Sequence, residues 1–125
     1  MQPHANLWIE TSDGEVALSE WRVQLLEAIA DTGSLSAAAR RLNVDYRTAW
    51  RKLKEMEARL GMALTARQAG GVRGGGTRLT ADGDEFVRRF RRFTRGVEAL
   101  VARQFQAAFA AAGPSARGVV RRRSH

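Results

Sequence analysis

Residues 33–61, GSLSAAARRLNVDYRTAWRKLKEMEARLG, constrain this chain more than any other stretch. Apolar positions Leu35, Ala38, Ala39 and Leu42 recur at the spacing of one helix face, with Ser34 placed to cap it. Asn43-Val44 leaves room for a tight turn only, with Val44 plugging the angle between two helices. Asp45 then caps a second helix whose inward positions are Ala49, Leu53, Met56 and Leu60. Two short helices, a turn of three or four residues and small side chains that allow close approach predict a helix-turn-helix.

The flanks extend this unit. LWIETSDGEVAL predicts strands at Leu7–Glu10 and Glu15–Leu18 around Asp13-Gly14. Ser19 opens a helix with Trp21, Leu25, Ala28 and Ile29 on its inner face and Gly33 at its end. After the second helix of the pair, stretches near Leu64–Arg67 and Thr77–Leu79 flank a glycine-rich tip, so residues 64–79 read as a wing. From about 81 to 112 a long helix follows. Phe86, Phe90, Phe93, Val97 and Leu100 alternate in steps of four and three, the seam of a coiled coil. About 30 residues span about 45 Å, more than a small domain covers with its own core, so this seam is the expected interface of a homodimer. The expected architecture is mainly α: a winged helix-turn-helix with an N-terminal β-hairpin and a long C-terminal dimerisation helix. It forms one domain over residues 1–112, followed by a disordered basic tail at 113–125.

Charge narrows the function. The chain carries 21 Lys/Arg against 13 Asp/Glu, a formal +8. Residues 1–33 hold six acids and only Arg22, so the other cations belong to the helix pair, the wing, the long helix and the tail. That distribution favours a polyanionic partner. Candidate DNA contacts are Ser34, Arg40 and Arg41 on the first helix of the pair, and Tyr46, Arg47, Thr48, Arg51 and Lys54 on the second. Arg73 and Arg78 on the wing complete the set. Trp50 is expected to pack against the first helix. The acids Glu10, Asp13, Glu15, Glu20, Glu27 and Asp31 read as a solvated face turned away from DNA.

Other chemistries find little support. Without cysteine there is no thiolate site, and His4 and His125 have no ligand or catalytic partner at useful spacing. GGVRGGG lacks the Lys-Ser/Thr that would make it a nucleotide cradle. No cofactor, metal or catalytic site is expected, nor a membrane span or secretory signal. The cytoplasm is the expected compartment.

The stretch from Leu25 to Gly83 resembles the N-terminal DNA-binding domain of the ModE family, the molybdate-responsive bacterial regulators. The matching residues are Gly33-Ser34 with Ala37-Ala38-Ala39, Tyr46-Arg47-Thr48-Ala49-Trp50, and Met56. To these the wing adds Arg67, Gly70-Gly71-Val72-Arg73-Gly74-Gly75-Gly76 and Leu79-Thr80-x-x-Gly83. The alanine-rich helix alone would also suit the LysR-type regulators. The resemblance implies a regulator of molybdenum-related genes. The pattern of the family's oxyanion-binding module is not found here, so molybdate is not expected to bind this chain directly.

Together these features predict a dimeric, sequence-specific transcriptional regulator of double-stranded DNA, with the 45–60 helix in the major groove and the wing on the backbone or minor groove. The alternatives are a nucleoid-associated protein that binds any sequence, and an adaptor whose helix-turn-helix has lost DNA binding.

Overall fold

The computed structural model describes residues 1–69 and 76–110. The expected tip residue Arg73 and the tail at 113–125 lie outside the described residues. The element order is β1 (Trp8–Glu10), β2 (Val16–Ser19), α1 (Glu20–Thr32), α2 (Leu35–Arg41), α3 (Tyr46–Leu60), β3 (Thr65–Gln68), β4 (Gly76–Leu79) and α4 (Ala81–Phe109). This is the mainly helical winged helix-turn-helix expected from the sequence. By internal contacts it falls into two compact units, Leu7–Arg91 and a second made of Met1–Asn6 with the chain from Arg92 onward.

In the larger unit, short polar side chains set where each helix begins. Ser19 Oγ accepts the Arg22 amide (3.3 Å), Ser34 Oγ accepts that of Ala37 (3.1 Å) and Asp45 Oδ1 that of Thr48 (2.7 Å). Each satisfies an amide that has no partner inside its helix. The Thr48 amide also holds the Asp45 carboxyl below the usual carboxylate range. Asn43 turns the chain between α2 and α3 at φ 60°, and the Val44 amide returns to the Ala39 carbonyl at 3.0 Å. Val44 packs against the core, as its place in the turn suggested.

The core gathers Leu18, Val23, Leu25, Leu26, Ile29, Ala38, Ala39, Ala49, Leu53, Met56, Leu64 and Phe90. Helix α1 lies at its centre. Val23 and Leu26 are buried together with Leu25, Ala28 and Ile29, so more of this helix is covered than its single expected apolar face. Phe90 corrects another expectation. It is 1% exposed within one chain, so it fills this core and is closed to a partner. Phe86 and Val87 pack against the same core, and the first turns of α4 therefore complete the domain.

The wing is anchored on three sides. Glu57 Oε2 on α3 accepts the Leu64 amide (2.9 Å) and the Thr65 amide (3.2 Å). The Thr77 amide donates to the Gly33 carbonyl at 2.8 Å, and a Cβ on Gly76 would come within 2.5 Å of that same oxygen. Thr80 opens α4: its amide donates to Leu64 O (2.9 Å) and its hydroxyl to Ala63 O (2.8 Å), while that hydroxyl accepts the Gly83 amide (3.0 Å). A Cβ on Gly83 would overlap the Leu64 carbonyl oxygen. Leu-Thr-x-x-Gly is thus a clasp between wing and helix. Gly83→Ala is expected to lower stability by about 1–3 kcal/mol, the usual range for overpacking, measurable by urea unfolding.

In the smaller unit, Gln2–Ala5, Glu98, Val101 and Ala102 line a shallow depression. Phe105 and Phe109 stack with ring centroids 5.2 Å apart. Phe93, Leu100 and Phe109 are exposed and Val97 is half-buried.

Candidate nucleic-acid interface

Helix α3 turns Ala49, Leu53 and Met56 inward. At about 100° per residue, Arg47, Arg51 and Lys54 then occupy its outer stripe, with Tyr46 and Trp50 on the flank between outside and core. Ser36 and Arg40, one turn apart on α2, are both exposed. An open groove of about 340 Å³ runs between these helices and the base of the wing, with Ser36, Tyr46, Trp50, Lys54, Arg67 and Thr77 among its walls. Trp50 is 47% exposed and forms one of those walls; the expectation that it packs away against the first helix is corrected. Its ring lies 5.8 Å from Lys54 Nζ, which also pairs with Glu57 at 3.3 Å.

The ion pairs divide the arginines into two groups. Arg22, 7% exposed, donates to Glu55 (3.1 Å) and to the Lys52 carbonyl (3.2 Å), joining α1 to α3. Burial pushes the Glu55 carboxyl up, but the Arg22 hydrogen bond and the charges of Lys52, Arg22 and Arg59 outweigh it and hold the group below its ordinary range. Arg59 meets Glu15 at 2.8 Å and the Val16 carbonyl at 2.8 Å. Arg91 grips Glu27 through two nitrogens (2.9 and 2.6 Å) and Glu20 through a third (2.7 Å). These contacts hold the Arg91 guanidinium protonated and the Glu20 carboxyl low. Glu15, Glu20 and Glu27 therefore staple the domain, a role beyond the solvated face expected of them. Arg88 and Arg89 share Glu85.

By contrast, Arg40, Arg47, Arg51, Arg67 and Arg78 meet no carboxylate within 4 Å among the described residues. These five sit on α2, α3 or the wing; Arg92, Arg95 and Arg103 on α4 likewise meet none among the described residues. Of the other candidates, Arg41 pairs with Asp31 at 2.9 Å, both more than half exposed. Ser34 is occupied as a cap, and Thr48 is half-buried. Sequence reasoning omits Arg67 from the candidates. It pairs with Thr77 across the ribbon, whereas Arg78 pairs with Ala66, so strand alternation puts the two arginines on opposite ribbon faces. Burial along β3 does not alternate, and Arg67 and Gln68 are both exposed, so periodicity gave no signal for it. Phe90 leaves the candidate seam for the core and Phe86, half-buried, packs against it, while Phe93, Val97 and Leu100 belong to the other unit.

Comparison with known proteins settles the family. The profile described as bacterial regulatory helix-turn-helix protein, LysR family, matches residues 22–84. This chain belongs to that family. The match spans α1 to the first turn of α4, so the clasp at Gly83 falls inside the LysR-type domain. This LysR-type chain is also similar to the molybdenum transport protein ModE of Azotobacter vinelandii, 39% identical over 70% of this chain and 32% of the relative. The molybdenum-pterin-binding protein MopB of Rhodobacter capsulatus is 38% identical over 64% of this chain and 30% of that protein. The chain spans about a third of the length of these curated relatives, and the ModE likeness drawn from its wing holds. Among solved structures, the CbnR_DBD-DNA complex is 30% identical with a TM-score of 0.56, covering 73% of this chain and 99% of that one. CbnR, a LysR family transcriptional regulator, gives 31% and 0.55 over 73% of this chain and 30% of its own. Among the described residues no group of His, Cys, Asp and Glu could hold a metal ion, and no helix is long and apolar enough to cross a membrane.

Proposed function

We propose that this chain is a sequence-specific, dimeric DNA-binding regulator of transcription, with α3 in the major groove and the wing against the backbone or minor groove. The observation that carries this reading is a cluster of arginines on one part of the domain: Arg40, Arg47, Arg51, Arg67 and Arg78 on α2, α3 and the wing meet no carboxylate among the described residues, while Glu55, Glu15, Glu20 and Glu27 pin Arg22, Arg59 and Arg91 into the domain. Asp45 keeps its carboxylate at the start of α3, so the end of that helix is already occupied by an anion. Readout then falls to the side chains of Arg47, Arg51 and their neighbours. Arg40, Arg67, Arg78 and Lys54, with Arg41 when it leaves Asp31, supply phosphate contacts that set register. Two copies paired through the exposed side chains of the long helix would present two recognition helices about 34 Å apart, or a multiple of it, to a palindromic site. Relatives named for molybdenum transport and molybdenum-pterin binding support target genes concerned with molybdenum.

Selection of bound fragments from genomic DNA tests this reading and yields the operator. Arg51→Ala is then expected to cost about 1–3 kcal/mol on the operator and to relax preference at one base pair. Equal losses on operator and scrambled duplex would make Arg51 a phosphate contact. Uniform enrichment of all fragments would replace the regulator with a nucleoid-associated protein, and no shift at low salt would leave only an adaptor.

A further inference from the structure

Helix α3 carries an exposed aromatic pair that neither the core nor phosphate binding uses. Tyr46 is 53% and Trp50 47% exposed. They lie one turn apart and, with Arg47, line one shallow hollow. Lys54 lies over the Trp50 ring and is itself drawn to Glu57, which braces the indole from the C-terminal side. Arg47 and Arg51, free of carboxylates among the described residues, border the pair on its outer edge. An apolar strip edged by arginine suits a surface that is anionic at its rim and apolar at isolated points within. In the major groove of duplex DNA the one apolar group on the base edges is the C5-methyl of thymine. We infer that Tyr46 and Trp50 read thymine methyl groups in the operator half-site. The inference rests on the major-groove placement of α3 proposed above.

The chemistry separates this from the work of the arginines. A guanidinium selects guanine through N7 and O6, whereas the aromatic pair gains only by covering a methyl. Contact with deoxyribose or phosphate would not register a base methyl at all. Each covered methyl is worth the transfer free energy of about one buried carbon, ~0.8 kcal/mol, or about 4-fold in affinity.

Deoxyuridine provides the probe, because it keeps every hydrogen-bonding group of thymine and lacks the methyl. The full chain is titrated against the selected operator and against duplexes in which each thymine in turn is replaced by deoxyuridine. About 4-fold weaker binding is expected at one or two positions in each half-site. Trp50→Ala is expected to bind thymine and uracil duplexes alike at one of them, and Tyr46→Ala at the other, with the melting temperature of each variant checked against the parent. The inference is overturned if uracil duplexes bind as tightly as the parent operator, if the half-site contains no thymine, or if both folded variants keep the methyl preference. Failure of the underlying reading looks different: all fragments are enriched alike, or no duplex is shifted at low salt.

Discussion

Phe90→Ala should remove about 3–5 kcal/mol from the unfolding free energy, the cost of emptying an aromatic site in a packed core. Small domains hold only ~5–15 kcal/mol in total, so the variant should unfold at a much lower urea midpoint with little change in slope. Leu100→Asp is its counterpart. Leu100 is 46% exposed and lies on the same helix ten residues on, so the Leu7–Arg91 unit should keep its midpoint while sedimentation moves from dimer to monomer. If Leu100→Asp stays dimeric, the pairing surface lies elsewhere. The two variants separate what the four-three spacing of phenylalanines merges. An aspartate at Phe90 would place a charge in the protomer's own core and would report on folding, not on association.

The second large effect concerns salt. Replacing Arg40, Lys54, Arg67 and Arg78 together by Gln should make the dependence of log K on log salt shallower by about 0.9 for each phosphate no longer neutralised. Four such phosphates predict a change of roughly three to four units, with binding weakened by orders of magnitude at physiological ionic strength. Arg88→Gln with Arg89→Gln serves as control. Both cations share Glu85 on α4, so their removal should leave the slope nearly unchanged. Titration at several salt concentrations decides it. Weakening in proportion to charge removed, whatever its position, would mean that the protein acts as a diffuse polycation.

How much of this is legible in the chain follows from how far apart the interacting residues lie. The caps at Ser19, Ser34 and Asp45 act on amides three residues away, and local pattern locates all three. The hairpins fall within a residue of their expected bounds for the same reason. Trp50 escapes such reasoning because it borders the inward stripe of α3, and helical spacing alone cannot say on which side of that border an indole falls. The acids escape it because their partners are distant: Glu27 and Arg91 are 64 residues apart. Gly83 serves as a mark of kinship in the sequence, and its physical reason, the Leu64 carbonyl pressed against it, exists only in three dimensions.

The three-sided anchorage of the wing bears on how such a domain can vary. Glu57, Gly33 and the Thr80 hydroxyl fix the two ends of the ribbon independently of what joins them. Lengthening the connection between Gln68 and Gly76 is then expected to leave both ends anchored. A change in the length of that segment is thus expected to alter the ribbon while leaving α3 where it is.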